Sequence, residues 1–101
     1  MMRFNTYIIA LLAGLSVPSI CSAERSADKI FTAYCFACHG TGWEDAPVIG
    51  DSFAWTERRE KGLEILLRNT LEGVNAMPAK GACTDCSDEE LLSVIKMLIA
   101  D

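Results

Sequence analysis

The 101-residue sequence has a single histidine, so it cannot form a site that needs two imidazole ligands. It also lacks a long apolar run, because its most hydrophobic stretch covers only residues 7–17. A membrane-spanning helix needs about 20 apolar residues, which makes this stretch too short. Basic residues are few as well: nine Lys and Arg stand against 14 Asp and Glu, for a net charge of −5. Such an acidic chain disfavours binding to nucleic acid or to anionic lipid.

Residues 1–23 have the features of a secretory signal peptide. Arg3 and the free amine form a short positive region before the apolar run, and Cys21-Ser22-Ala23 offers small residues for cleavage. We therefore predict a signal peptide at 1–23 and one mature domain at 24–101 that has no membrane span. An uncleaved membrane anchor and a lipid anchor on Cys21 are the alternatives.

Four of the five cysteines lie in the predicted mature domain, in two Cys-x-x-Cys pairs at 35/38 and 83/86. A domain of this size buries only about 60% of its unfolded surface. Small domains usually need a disulfide, a metal or a cofactor to be stable. The two cysteine pairs are therefore the first place to look for such a group.

The first pair belongs to the run Cys35-Phe36-Ala37-Cys38-His39. Cys-x-x-Cys-His is typical of covalent attachment of a c-type haem. On a helix the three functional side chains share one face, so two thiols can form thioethers with the haem while the imidazole reaches the iron. A thiol redox motif and a zinc site are the alternatives. A thioredoxin-like redox motif usually accompanies a βαβ pattern, which this sequence lacks. A zinc site would pool both cysteine pairs, and these lie farther apart than the usual gap of about 15–20 residues.

With no second histidine in the sequence, the other axial position of the iron can be filled by methionine, by another side chain, by water or by nothing. The two N-terminal methionines leave with the predicted signal peptide, and Met97 falls beyond the edge of an apolar helical stripe. Met77 lies in a loop beside Pro78, which restricts the backbone where a ligand has to be held. We therefore predict His39 and Met77 as axial ligands. With both positions filled, outer-sphere electron transfer is favoured over binding of oxygen or peroxide.

Pro47 is a candidate for orienting the histidine. Its carbonyl could accept the ring N–H of His39, which would fix the imidazole and raise its basicity. An ordinary turn proline is an equal alternative. Trp43, Phe53 and Trp55 are candidates for the lining of a haem pocket, and equally for generic core positions.

Hydrophobic periodicity predicts an all-α fold with three main helices joined by loops. We expect Ser26 to cap the first helix, Gly73 to end the second and a Ser-x-x-Glu capping box to open the last. We also expect the last helix to pack on the alanine-lined arc of the first, which carries Ala33, Ala37, Ile30 and Tyr34. A short helical turn is expected to begin near Phe53. The predicted helices run from about Ala27 to His39, from about Gly62 to Glu72, and from Ser87 towards the C terminus.

The second cysteine pair, Cys83-Thr84-Asp85-Cys86, immediately precedes the last helix. In an oxidising compartment a disulfide is the default for such a pair. A catalytic dithiol is the alternative. Arg58, Arg59 and Lys61 form a small basic run that we interpret as solvated surface.

The mature region resembles the cytochrome c5 family of small bacterial class I c-type cytochromes. The match includes CFACHG at 35–40, Ala46-Pro47 with Gly50-Asp51 and, most specifically, MPAKGACTDCSDEEL at 77–91. The chain differs at Ala79, where family members often have a second proline, and in the charged stretch 57–61. The resemblance implies a cytochrome c fold around one covalently bound haem c, with Cys35 and Cys38 as attachment points, His39 and Met77 as axial ligands, and a disulfide between Cys83 and Cys86.

These observations predict a periplasmic electron carrier rather than an enzyme. It would shuttle single electrons through a His/Met-ligated haem between respiratory-type redox partners, in transient encounters and as a monomer or weak dimer. Two other classes stay open. One is a haem enzyme or gas sensor in which Met77 is labile, and the other is a thiol–disulfide oxidoreductase that uses Cys83 and Cys86.

Overall fold

A computed structural model describes residues 24–101 of the chain, together with residues 2 and 14. The signal peptide predicted at 1–23 therefore lies outside the described residues, apart from those two positions. None of the helices in the described part is long and apolar enough to traverse a bilayer. The α-helices are α1 (Ala27–Ile30), α2 (Phe36–His39), α3 (Ser52–Glu60), α4 (Leu63–Glu72) and α5 (Asp88–Ile99), with a π-helical segment at Phe31–Cys35 and 3-10 turns at Trp43–Asp45 and Ala79–Ala82.

Helical structure is continuous over residues 27–39, as predicted, but its middle is π-helical. The hydroxyl of Ser26 accepts the N–H of Lys29 at 3.3 Å, which confirms the predicted cap. Within the π segment, the N–H of Phe36 donates to the carbonyl of Phe31, five residues earlier. A π-helical turn holds more residues than an α-helical turn. Side chains after Phe31 therefore point away from the directions that an α-helical wheel gives them.

Only part of the predicted arc of the first helix packs against α5. Ile30, which precedes the π segment, is buried with the apolar face of α5 as predicted, and Ala27 and Phe31 pack at the edge of the same cluster. Ala33, Ala37 and Tyr34 are exposed, so the prediction that they meet α5 is wrong. The other buried members of the cluster are Trp55, Cys83, Cys86, Leu91, Val94 and Leu98.

Helix α3 is much longer than the short turn predicted near Phe53. Its sequence has no apolar periodicity: Trp55 is its one buried residue, and Phe53 is 94% exposed. Local polar contacts support it, because the Asp51 carboxylate accepts the N–H of Ala54 at 3.1 Å. The prediction depended on hydrophobic spacing and therefore underestimated this helix.

Helices α4 and α5 agree with the predictions. Gly73, at a φ of +85°, follows the last residue of α4. The hydroxyl of Ser87 accepts the N–H of Glu90 at 3.1 Å, while the Glu90 carboxylate accepts the N–H of Ser87 at 3.0 Å. This reciprocal pair confirms the capping box.

An ion-pair cluster ties the start of the described domain to α5. The Arg25 guanidinium donates to Glu90 at 2.8 Å and lies 3.3 Å from Asp85. Hydrogen bonds from the Arg25 side chain, and then from the backbone of Ser87, lower the pKa of Glu90 to about 2. Glu90 is only 6% exposed, so the capping carboxylate is held ionised in a nearly closed setting.

Candidate cofactor site

One cavity of about 360 Å³ is lined by Cys35, Cys38, His39 and Met77. Its volume lies within the range of about 300–1,000 Å³ that is usual for small-molecule sites. The π segment supplies the first cysteine, α2 supplies the second cysteine and the histidine, and the loop between α4 and α5 supplies the methionine. Apolar side chains from α4 and α5, including Leu66 and Leu98, complete the walls.

Cys35 and Cys38 are half-buried free thiols at one wall of this cavity. Burial raises the pKa of the Cys35 thiol, and the neighbouring Cys38 raises it further. A redox-active dithiol needs a thiolate, which a lowered pKa provides. The raised pKa therefore argues against the thioredoxin-like alternative for this pair.

The ring of His39 is held by a carbonyl from the following loop. His39 is 8% exposed, and its Nδ1 lies 2.8 Å from the carbonyl oxygen of Pro47. A carbonyl can only accept a hydrogen bond, so Nδ1 carries the proton and donates it. In the neutral ring the lone pair is then on Nε2, which is the nitrogen that can bind a metal.

The loop after α2 folds back over the histidine through backbone and tryptophan contacts. The carbonyl of His39 accepts the N–H of Ile49 at 2.7 Å. Trp55 donates its indole N–H to the carbonyl of Val48 at 2.8 Å, and its ring centroid lies 6.0 Å from that of His39. Hydrogen bonds involving three consecutive loop residues, 47–49, therefore hold the loop against His39 and Trp55. These contacts limit rotation of the imidazole ring.

Met77 lies in a loop whose backbone is fixed on both sides. The N–H of Val74 donates to the carbonyl of Met77 at 3.1 Å, and the N–H of Met77 donates to the carbonyl of Val74 at 2.8 Å. The loop also passes very close to Gly73, because a Cβ atom built there would lie 2.9 Å from the Met77 carbonyl oxygen. The sequence pattern predicts only a helix stop at Gly73. Its second role, which is to let the methionine loop approach, follows from the close contact alone.

The second cysteine pair differs from the first, because it forms a disulfide. The structure joins Cys83 and Cys86 by a bond of 1.98 Å, and the two residues are 0% and 3% exposed. Thiol–disulfide exchange needs access to a sulfur atom, which this burial denies. In the described part of the chain, the four cysteines do not come together as a zinc site. The one candidate metal group there contains only Cys83 and Cys86, which are already bonded to each other, and Asp85.

Of the other residues singled out in the sequence, some line the cavity and others do not. Trp43 and Trp55 line the cavity, whereas Phe53 and Met97 do not. Arg58 and Lys61 also line it. Lys61 is exposed, in agreement with its interpretation as solvated surface, whereas Arg58 is partly buried. The donor set suits a covalently bound haem, because two free thiols, an imidazole with an available nitrogen and a thioether surround one largely apolar space.

Comparison with protein-family models identifies one that matches residues 22–96, described as "Cytochrome C oxidase, cbb3-type, subunit III". The chain is 53% identical to cytochrome c5 of Azotobacter vinelandii over 73 residues, which cover 70% of this chain and 88% of that protein. It is 50% identical to cytochrome c5 of Ectopseudomonas mendocina over 76 residues, which cover 73% and 87% respectively.

The fold also resembles those of solved cytochrome c structures. A mono-haem ferrocytochrome c from Shewanella putrefaciens matches with a TM-score of 0.69 at 35% identity, covering 73% of this chain and 91% of that one. A chain from an electron-transfer complex of nitrite reductase with cytochrome c gives a TM-score of 0.69 at 30% identity, covering 75% and 94%. These likenesses confirm the predicted cytochrome c fold. The chain thus belongs to the cytochrome c family matched by that model and, within it, to cytochrome c5: it is an electron-transfer protein with one covalently bound haem c, not an enzyme.

Proposed function

We propose that this protein is a periplasmic electron carrier whose haem is attached through Cys35 and Cys38 and ligated by His39 and Met77. The observation that carries the proposal is that a single cavity is lined by all four side chains. When bound, the haem supplies a one-electron couple between ferric and ferrous iron. The chain's own residues hold that group, orient its ligands and keep water away from it.

His39 is prepared for its role by the hydrogen bond to Pro47. Because Nδ1 donates its proton to the carbonyl at 2.8 Å, Nε2 is the ring nitrogen that remains available to the iron. Hydrogen bonding of this kind fixes ring orientation and raises the basicity of a ligating histidine. The contact with Trp55 limits rotation of the same ring.

The position of Met77 is set by the backbone of its loop. The paired hydrogen bonds to Val74 and the close passage over Gly73 fix the backbone from which the thioether extends. A methionine ligand raises the reduction potential of a c-type haem. It also fills the position at which oxygen or carbon monoxide would bind, which supports electron transfer as the activity.

The proposed location and partners have separate support. The signal-peptide features of residues 1–23 support export to the periplasm. A structural neighbour was solved in an electron-transfer complex with nitrite reductase, which supports transient docking to redox proteins. The net charge of −5 favours partners that present a basic surface, because charge complementarity speeds brief encounters.

Visible spectra of the purified ferric and ferrous protein test the ligation. We expect a low-spin covalent haem with the weak red band of methionine–iron bonding in the ferric protein. Met77→Ala should remove that band and let carbon monoxide bind the reduced protein rapidly. Met97→Ala is the matched control, since Met97 does not line the cavity, and its spectra should stay unchanged. A red band that survives Met77→Ala would rule out Met77 as the ligand.

A further inference from the structure

The 3-10 turn at Trp43–Asp45, which we call the rim turn, lies at the edge of the candidate site. Its three residues line the cavity, and all three are exposed. Trp43 is 62% exposed, whereas Trp55 and Leu66 line the same cavity and are 6% and 8% exposed. Facing the cavity therefore does not by itself expose a side chain. The rim turn presents to solvent a residue type that often dominates the binding energy of protein interfaces.

The backbone of the rim turn is held in a fixed position. The Thr41 hydroxyl donates to the carbonyl of Ala37 at 2.6 Å and accepts the N–H of Trp43 at 3.3 Å. The N–H of Gly42 donates to the carbonyl of Cys38 at 2.8 Å. These bonds tie the rim turn to α2, the helix that carries the second cysteine of the proposed attachment site. The indole is therefore kept between the cofactor space and the solvent.

The rim turn also carries a local negative charge. Glu44 and Asp45 are the acidic residues of the cavity lining, and both are exposed. Neither belongs to an ion pair among residues 24–101, although Arg58 and Lys61 line the same cavity. A cation from another molecule can therefore pair with either carboxylate without displacing a partner in this part of the chain.

We propose that the rim turn docks a redox protein through an arginine of that partner, which stacks on Trp43 and pairs with Glu44 and Asp45. This inference rests on the proposed electron-carrier function and specifies the surface of the partner. A guanidinium is attracted to the face of an indole ring, and carboxylates form charge-assisted hydrogen bonds with it. Docking brings the partner's redox centre near the haem. One electron then passes from the ferrous iron to the oxidised partner, which leaves ferric iron.

A peptide of six arginines that carries a ruthenium tris-bipyridine group is a suitable probe. A light flash makes the ruthenium(II) label give one electron to the ferric haem, so the rate as a function of peptide concentration yields the dissociation constant. We expect the holoprotein to bind this peptide at low ionic strength. It should bind the matched glutamate peptide about tenfold more weakly or not at all, because that peptide repels the carboxylates.

Substitutions in the rim turn should weaken binding of the arginine peptide. Trp43→Ala should raise the dissociation constant about two- to fivefold, the range expected of an exposed cation–π contact, and Trp43→Phe should restore part of the loss. The Glu44→Gln/Asp45→Asn variant should raise it about fivefold at low ionic strength. In about 0.5 M salt the effect of this double variant should largely disappear, because exposed charges are screened there.

Two controls separate the rim turn from general effects of charge and exposed aromatic surface. Asp88→Asn/Glu89→Gln removes the same two charges from exposed positions on α5 that do not line the cavity. Phe53→Ala removes an aromatic ring that is 94% exposed and also lies outside the lining. Both control variants should bind the arginine peptide nearly as the unchanged protein does.

Dissociation constants of the rim-turn variants that coincide with those of the controls would overturn the inference. Tighter binding of the glutamate peptide would instead indicate an acidic partner, and a dimer in sedimentation that Trp43→Ala abolishes would indicate a second copy of this chain. Either result would also overturn it. The exposed carboxylates keep the test available if Trp43→Ala does not fold. Failure of the proposed function gives a different result, which is no electron transfer from either peptide to any variant.

Discussion

Two Cys-x-x-Cys pairs of identical spacing have different fates in this protein. Cys35 and Cys38 lie on helical backbone, half-buried and unbonded, and they face a cavity. Cys83 and Cys86 lie in a turn before α5, buried and bonded to each other. The spacing alone does not decide the chemistry. A helix places the two sulfurs side by side towards a ligand, whereas a tight turn brings them together.

The largest effect should come from removing the first pair. The Cys35→Ser/Cys38→Ser protein should carry no covalent haem and should be largely unfolded. Burial of roughly 400 Å² of porphyrin contributes on the order of 10 kcal/mol at about 25 cal/mol/Å². Far-ultraviolet circular dichroism measures this directly. Near-native helicity in the haem-free protein would show that the fold does not depend on the cofactor.

Gly73→Ala should have the next largest effect, because the added Cβ would meet the Met77 carbonyl oxygen at 2.9 Å. The substitution also places alanine at a φ of +85°, a strain of about 1–3 kcal/mol. We expect lower stability together with a weaker methionine–iron band. Gly62→Ala is the matched control at the other end of α4, since its φ is +87° but nothing lies within 4 Å of the added atom.

Denaturant unfolding and the visible spectrum of the two glycine variants separate strain from collision. The Gly62 variant should lose stability and keep its methionine–iron band. Equal spectra for both variants would mean that the approach of the loop to Gly73 has no bearing on the position of Met77.

Removal of the second pair should be milder than removal of the first. The Cys83→Ser/Cys86→Ser protein should keep its haem and its electron transfer, with an unfolding free energy lower by about 2 kcal/mol. A disulfide that closes so short a loop restricts the unfolded chain only modestly. Denaturant unfolding of the holoprotein gives the difference. Loss of redox function with an unaltered haem spectrum would instead support the thiol–disulfide alternative.

The smallest effect concerns the ion pair that covers the second cysteine pair. Arg25 holds the pKa of Glu90 at about 2, below the ordinary value of 4.5. A lowered carboxyl pKa stabilises the fold above the ordinary pKa, and this contribution is lost as the pH falls from about 4.5 towards 2. Unfolding measured across this range should show a steeper loss for the unchanged protein than for Glu90→Gln.

Glu89→Gln is the control for this pH dependence, because Glu89 is exposed on the same turn of α5. Its free energy of unfolding should fall with decreasing pH in the same way as that of the unchanged protein. If Glu90→Gln and the unchanged protein lost stability in parallel, the ion pair with Arg25 would not be what stabilises α5 in this range.

The sequence predicted local features of the fold better than it predicted their packing. The cap at Ser26 and the box from Ser87 to Glu90 depend on neighbouring residues, and both are present. The prediction that Ala33 and Ala37 pack against α5 was wrong because a π-helical segment rotates the helix after Phe31. Such a segment leaves no periodic pattern in the sequence from which it could be recognised.

For the site, the motif and the loop proline singled out the residues that line the cavity, because covalent haem chemistry requires a particular set of donors. Two contributors were missed. Gly73 matters through a contact with backbone four residues later. Arg58 lines the cavity, whereas its neighbour Arg59 lies against Asp101. Both depend on three-dimensional proximity, for which a single sequence has no pattern.

Mass spectrometry of the denatured, purified holoprotein tests the central claim most directly. The account predicts that the chain retains the mass of one haem after denaturation, and that proteolysis places it on the peptide containing Cys35 and Cys38. Peptides with both thiols unmodified, together with colour that acidified acetone extracts completely, would contradict it.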